Sequence, residues 1–335
     1  MVMGPEPTAA TDLLDPPLYG ADDSVAAIEG RSLGRIAWTR LKRDKVAMTG
    51  GVVVVLLILM AIFAPLIVKW LGHPPDEQHQ SPALLDLTTG GTPRGAFGGV
   101  SGQFLFGLEP GNGRDIFSRV VYGSRISLTI AFAAAFLSVA IGSTLGVIAG
   151  LLGGWVDNVI GRLMDLFLAF PLLVFALSIV GVLPDRAFGL SGNTLRITMM
   201  IFVIGFFNWP YIARIVRGQA LSLREREFVD AARSLGARPP YIIVRELLPN
   251  LMAPILIYMT LLIPTNVLFE AALSFLGVGV QAPTATWGGM LSDASKYITE
   301  PAFIFFPGMA VFVTVLAFNL FGDGLRDAFD PKGTR

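Results

Sequence analysis

Six stretches of this chain run for at least 17 residues without Asp, Glu, Lys or Arg: 46–68, 126–154, 166–184, 197–213, 247–269 and 301–322. A bilayer core about 30 Å thick requires about 20 apolar residues per helical crossing, so each stretch can span it. Buried helices of a soluble bundle would carry a charged face every 3.6 residues, and these have none. The shortest, 197–213, holds Trp209 and Tyr211 near one end, which read as interfacial anchors. A seventh uncharged run, 271–292, contains Gly277, Gly279, Pro283, Gly288 and Gly289, a density of helix breakers that predicts a loop or re-entrant segment. Charged residues make up only 15% of the chain, against about 25% in soluble domains, which excludes a soluble enzyme or a nucleic-acid binder. With no cysteine and only His73 and His79, disulfides, thiolate metal sites and most other metal chemistry are excluded as well.

Loop charge orients the spans. With a cytoplasmic N-terminus the inner segments hold 17 of the 25 Lys and Arg and the outer segments 8, which places both termini inside. Residues 1–30 carry six acids and no Lys or Arg, the composition of a disordered cytoplasmic tail without the basic start of a signal peptide, so the first span is expected to act as the insertion signal. Residues 31–69 comprise a short basic segment and the first span. In that segment Leu33, Ile36, Ala37 and Leu41 fall at helical spacing among six basic residues and Trp38, which suits either a helix lying on the anionic inner leaflet or ordinary flanking charge. The external loop, 70–125, contains nine glycines between Gly90 and Gly113 and is expected not to fold independently. His73 and His79 in HPPDEQH are read as solvated and idle. A core of five spans, 126–322, and a cytoplasmic tail, 323–335, complete the chain.

Two segments carry mechanism. Gly142, Gly146, Gly150 and Gly154 recur every fourth residue, after Ala134 and Ser138, and so present a smooth face against which another helix can pack backbone to backbone. The pattern leaves open whether that helix belongs to this chain or to a partner. In the cytoplasmic loop 214–246, Leu221, Phe228, Ala231, Ala232 and Leu235 recur at three- and four-residue spacing with charges on the other faces, predicting an amphipathic helix of about four turns. Gly236 is its natural stop, and Pro239 and Pro240 suit the first turn of the next helix. Such a short helix can seat its apolar ridge in a groove of another protein.

DAARSLGA followed by RELLPN resembles the EAA loop of bacterial ABC importer permeases, with Asp230 for the usual Glu and Glu246 where many members have His. GRDIFSRVVYGSRISL, ALSFLGVGVQAPTATWGGML and PGMAVFVTVLAFNLFGDGLRDAFDP are similar to blocks of the second-permease class of dipeptide and oligopeptide importers, over about residues 32–332. Gly107, Leu108 and Glu109 depart from a common Gly-Thr-Asp. The resemblance implies an all-α membrane protein with the type I ABC importer permease fold, six transmembrane helices and a cytoplasmic coupling helix. In that helix Phe228, Ala231, Ala232 and Leu235 would form the apolar ridge, Glu227, Asp230 and Arg233 polar contacts, and Gly236 the turn, while Pro249 and Asn250 would open the fifth span. It implies a homologous sister permease, two ATPase subunits (identical, paired or fused) that bind ATP and Mg, an external solute-binding protein, and a place in the bacterial cytoplasmic membrane.

The chain contains no G-x-x-x-x-G-K-[ST], H-E-x-x-H or G-x-S-x-G, so it is expected neither to hydrolyse ATP nor to bind a cofactor or metal itself. The rival from another class, an ion-driven transporter, places ionisable groups near the bilayer midplane. The six stretches hold none, and Glu270 falls at an end. Asn208, Asn266 and Asn319 are candidates for contact with solute, although helix-to-helix hydrogen bonds are their commoner use.

Overall fold

The computed structural model describes residues 33–330. The chain enters through helix α1 (Leu33–Leu41), followed by α2 (Lys45–Ile62) and α3 (Ala64–Leu71). Asp44 caps α2 by accepting from the amides of Val46 and Ala47. An external segment follows, with paired two-residue strands β1 (Leu85–Asp86) and β2 (Thr92–Pro93). Next come α4 (Ile116–Leu152), α5 (Gly154–Ala169) and α6 (Leu172–Gly181), a second two-residue hairpin of β3 (Arg186–Ala187) and β4 (Leu190–Ser191), and α7 (Gly192–Leu223). Within the loop 214–246 lies α8 (Glu227–Ser234). A helical run then begins with α9 (Pro239–Tyr241), passes a π turn over Ile242–Leu247, and continues as α10 (Leu248–Phe275). Helix α11 (Trp287–Ala294) and the long α12 (Pro301–Phe329) end the described chain.

Helices α2, α4, α7 and α12 and the run Pro239–Phe275 are each long and apolar enough to cross a membrane. Helices α5 and α6 meet the same test only together, and they are bent by 76° at Phe170–Pro171. The third stretch, expected as one span over 166–184, is therefore the end of α5 plus α6. Pro171 denies the helix a backbone donor, and α5 keeps Asp157 and Asp165 for α7: Arg217 grips Asp157 with two nitrogens, and Arg214 reaches Asp165 at 2.8 Å. The fourth stretch belongs to a 32-residue helix, α7, and Trp209 is buried within the bundle, so of the two expected anchors only Tyr211 is exposed. Helix α12 likewise continues past Gly322 and packs Ala328 against Ala37, Leu41 and Ala47.

The core is organised by α4 and α7. A Cβ built on Gly142 would lie 2.7 Å from the Trp209 carbonyl, on Gly146 2.6 Å from the Ala213 carbonyl, and on Gly150 2.6 Å from the Ala220 Cβ. Helix α7 answers with Gly205, where a Cβ would come within 2.9 Å of the Ala134 carbonyl; Ser138 donates to the Gly205 carbonyl at 2.8 Å. The smooth face thus meets a helix of this same chain. Gly154 takes no part: nothing lies within 4 Å of its added Cβ, and with φ +54° it opens α5 after the chain has turned at Gly153.

The external segment packs onto the bundle and folds around its own small cluster of Leu85, Phe104 and Leu108. His73 and His79 are half-buried rather than solvated: their rings lie 4.9 Å apart and both contact Phe104, and the His73 amide donates to Asp115 and Ser118. Glu109, 2% exposed, faces Arg119 of α4 at 2.5 Å, and Arg119 also donates to the carbonyls of Pro75 and Pro283. One guanidinium therefore joins the external segment, α4 and the loop that follows α10. Burial pushes the Glu109 carboxyl above its ordinary range, against the smaller opposing pull of Arg119 and Arg114.

Gly146→Leu forces carbon into backbone on the facing helix and is expected to lower stability by about 1–3 kcal/mol, while Gly161→Ala, on an open face of α5, leaves it unchanged or slightly raised; thermal unfolding in detergent measures both. Arg119→Met strands a buried carboxylate and is expected to cost about 3–5 kcal/mol. Adding Glu109→Gln to Arg119→Met should recover part of that loss in the same assay.

Candidate functional site

The loop 214–246 gives a shorter helix than the apolar spacing predicts. Helix α7 runs on to Leu223, the chain turns through Arg224–Arg226, and α8 has two turns, so Leu221 lies on α7 rather than on the amphipathic helix. The amides of Val229 and Asp230 donate to the Arg226 carbonyl. At the other end Gly236 donates to the Arg233 carbonyl and Ala237 to the Ala232 carbonyl, a pair of bonds that requires a left-handed residue between helix and exit. Gly236 supplies it at φ +83°.

The two faces of α8 are distinct. Val229 is fully buried and Ala232 nearly so, both in the main core cluster with Ile242 and Leu247. Phe228, Ala231 and Leu235 point outward, Leu235 at 89% exposure. Ala232, expected on the outward ridge, instead anchors the helix from within. The anchor that spacing missed is Val229, an apolar residue one position before Asp230 that completes the pair with Ala232 at i and i+3. Glu227 and Asp230 lie in the first turn and Arg233 in the last, where they complement the helix dipole, and Arg233 approaches Asp230 at 3.4 Å. The outward face borders a cleft of about 610 Å³ lined by Phe228, Ala231, Leu235, Arg238, Tyr241 and Glu246 among others. Glu246, in the position that departs from the EAA pattern, thus lies on the same wall as the ridge.

Pro249 and Asn250 stand in the first turn of α10, within the longer helical run that begins at Pro239. The π turn over Ile242–Leu247 ends two residues before Pro249, the Leu248 amide reaches back five residues to Ile243, and the Asn250 side chain donates to the Glu246 carbonyl at 2.7 Å. A proline that removes a donor and crowds the preceding turn accounts for the lost regularity.

Of the three candidate pathway residues, two face each other. Asn266 is fully buried and donates to the Ala131 carbonyl of α4 at 3.1 Å, and Asn208 of α7 approaches Asn266 at 3.4 Å. This chain of amides crosses three helices. Asn319 is exposed on α12, apart from that pair. Glu270, expected at the end of a span, lies within α10, wholly buried and accepting from Ser274 at 2.8 Å, next to Ser127 and Thr286. Among the described residues no cluster of three or more potential metal ligands occurs.

Sequence reading also passed over Arg125. On α4 the residues Arg125, Thr129, Phe136, Ala140 and Thr144 are exposed and share one helical face. Arg125 and Thr129 line two adjoining clefts, one shared with Asp76, Tyr122 and Thr284, the other with Ile58, Ala61 and Phe132. Among the described residues Arg125 has no acidic partner, only the Tyr122 ring at 5.9 Å. Arg125 stands just before the uncharged stretch 126–154, at the end of α4 where the segment carrying Asp76 lies across the cleft.

The described residues thus form a bundle of helices long and apolar enough to cross a membrane, with α8 anchored by Val229 and Ala232 and exposing Phe228 and Leu235. Residues 142–335 match the family described as Binding-protein-dependent transport system inner membrane component, and residues 32–86 match the N-terminal TM domain of oligopeptide transport permease C. The chain is 39% identical over 334 residues to the Dipeptide transport system permease protein DppC of Alkalihalophilus pseudofirmus, covering 99% of this chain and 96% of that protein. It is 40% identical over 296 residues to the Glutathione transport system permease protein GsiD of Escherichia coli O157:H7, covering 88% of this chain and 89% of the relative. Among solved structures, a chain of the MetNI methionine ABC transporter in an inward-facing conformation shares the fold, with a TM-score of 0.51 at 19% identity, over 66% of this chain and 98% of that one. The chain belongs to the family of binding-protein-dependent transport system inner membrane components, as a permease of the oligopeptide and dipeptide type. It is a multi-pass protein of the bacterial cytoplasmic membrane.

Gly236→Ala places a Cβ in left-handed backbone and is expected to cost about 1–2 kcal/mol. That loss should appear as faster hydrogen exchange across α8, while the global melting temperature moves little, because nothing else touches the position.

Proposed function

We propose that this chain is one of the two permease subunits of an ATP-driven importer of dipeptides, oligopeptides or close relatives such as glutathione. It spans the membrane six times, the bent pair α5–α6 counting once, with both termini in the cytoplasm. Helix α8 is its coupling helix. Phe228, Ala231 and Leu235 seat in a separate ATPase subunit with Glu227, Asp230 and Arg233 around them, while Val229 and Ala232 carry the displacement into the bundle. The chain itself binds no ATP, Mg or metal; two ATPase subunits, identical, paired or fused, do so. A solute-binding protein delivers cargo on the outer face, and the sister permease closes the other half of the pathway.

The observation that carries this reading is the exposure of two large apolar side chains on a two-turn helix whose opposite face is fixed in the core. A helix resting on headgroups has no need of that internal anchor, and the acids Glu225, Glu227 and Asp230 oppose contact with anionic lipid. For the pathway wall, the reading is supported best by the exposed face of α4 from Arg125 to Thr144, where Arg125 and Thr129 line two adjoining clefts. The pair Asn208 and Asn266 serves to hold α4, α7 and α10 together.

Complete reversal of a 1:99 population requires about 5.5 kcal/mol of differential binding, so the docking surface cannot be incidental. Leu235→Asp in the assembled transporter is expected to reduce peptide uptake at least tenfold and to abolish peptide-stimulated ATPase turnover, with expression and melting temperature unchanged. Normal uptake by this variant would refute the coupling role. Because the chain lacks cysteine, Leu235→Cys is a unique label site. In cells that lack the ATPase subunits it should react with a membrane-impermeant maleimide only after the cells are opened. Uptake should fall on ATP depletion and persist when a proton uncoupler is added with ATP held constant.

A further inference from the structure

Where α1 meets α2 and α12, a groove of about 320 Å³ runs along the outside of the bundle, and nearly all of its lining is apolar. Trp38 stands at one end; Met48, Val52 and Val55 form one wall and Phe321 the other. Gly51 forms the floor, where a Cβ would lie 2.9 Å from the Phe321 ring, so any other residue would narrow the groove. Met48, Val52 and Val55 share a helical face with Lys45 one turn earlier. Lys42 sits with its ammonium 5.2 Å over the Trp38 ring. Both lysines are exposed, and neither has an acidic partner among the described residues. The nearby carboxylate of Asp44 is engaged by the amides of Val46 and Ala47. Arg40, by contrast, is drawn away to the Asp330 carbonyl at 2.7 Å.

We propose that this groove is a binding site for one anionic phospholipid, its phosphate held by Lys42 and Lys45 and one acyl chain laid over Gly51. From Lys45 to Leu56 the helix rises about 16 Å, close to the length of an acyl chain and directed into the hydrocarbon layer. The two lysines at the head end, neither paired with an acid among the described residues, and the apolar channel below them match the two ends of that ligand. A zwitterionic lipid presents the same chain and a compensated headgroup, and so loses the contribution of the lysines. Trp38 contributes at the boundary, where an aromatic ring favours the headgroup level. Assignment to the inner leaflet rests on the cytoplasmic placement of α1 proposed above; the binding itself does not, and its test is indifferent to orientation.

The assembled transporter in detergent is titrated with phosphatidylglycerol or phosphatidylcholine, and lipid retained per complex is read by native mass spectrometry. One phosphatidylglycerol per copy of this chain is expected to resist delipidation, with at least tenfold preference over phosphatidylcholine. Lys42→Glu with Lys45→Glu should abolish the preference, and Gly51→Leu should remove the retained lipid while leaving the lysines in place. Since Gly51→Leu also presses on Phe321, a second readout uses the wild-type groove: in a variant that keeps Trp38 alone of the five tryptophans, phosphatidylglycerol with brominated chains should quench its fluorescence at lower concentration than brominated phosphatidylcholine. Equal retention and equal quenching by the two lipids would overturn the proposal and leave ordinary annular lipid. Failure of either lipid to quench Trp38 in the complex would overturn it in favour of the sister permease covering the groove.

Discussion

Everything in this protein is arranged around the backbone-to-backbone approach of α4 and α7. Within a bilayer apolar side chains gain nothing by leaving lipid for protein, so two helices hold together only as closely as their surfaces allow. Gly142, Gly146 and Gly150 bring carbonyls and Cβ atoms of α7 to distances that no side chain on α4 would permit, and Ser138 adds a hydrogen bond to Gly205 where the stripe begins. Asn266 then attaches α10 to the same pair through the Ala131 carbonyl. The remaining spans are added to this pair: α2 and α12 on one flank, and the bent α5–α6 pair, whose acids are paired with arginines of α7, on the other.

That arrangement gives α8 its rigidity. Two turns of helix are too few to be stable alone in water. Here the segment hangs between the end of α7 and the start of α9, with Val229 and Ala232 set into the core and Gly236 closing the last turn. The outward residues are therefore held at a fixed angle to the spans. Under the proposed coupling role, a displacement at that outward surface would reach the spans through Val229 and Ala232.

Much of this was legible in the sequence because the bilayer makes charge conspicuous. Gaps between charged residues located the long apolar helices, the four-residue glycine repeat located the central contact, and Gly236 located the end of α8. What escaped had the opposite character. Hydropathy cannot distinguish one straight helix from two halves meeting at 76°, since Phe170–Pro171 is as apolar as its surroundings. Counting uncharged intervals also hides ionisable groups that a helix carries past its interval, such as Glu270 at the interval's edge and Arg125 two turns into α4. Gly154 continued a repeat in sequence but not in space, because the helix had already turned at Gly153. The histidines and glycines of the external segment suggested an unstructured loop, and Arg119, a residue in α4, draws that segment into one fold. Val229 escaped because the acid beside it drew the eye to the polar face.

The π turn over Ile242–Leu247 has a consequence for how motion could enter the bundle. One residue more than an α-helix needs is stored there, between a run that begins at Pro239 and a run that ends at Phe275. Passing that surplus residue along by one position would rotate the intervening side chains by about 100° while breaking and remaking only a few local bonds. Such a stretch behaves as a ratchet tooth in an otherwise stiff rod: push and pull at its lower end would be converted into a twist of the upper one.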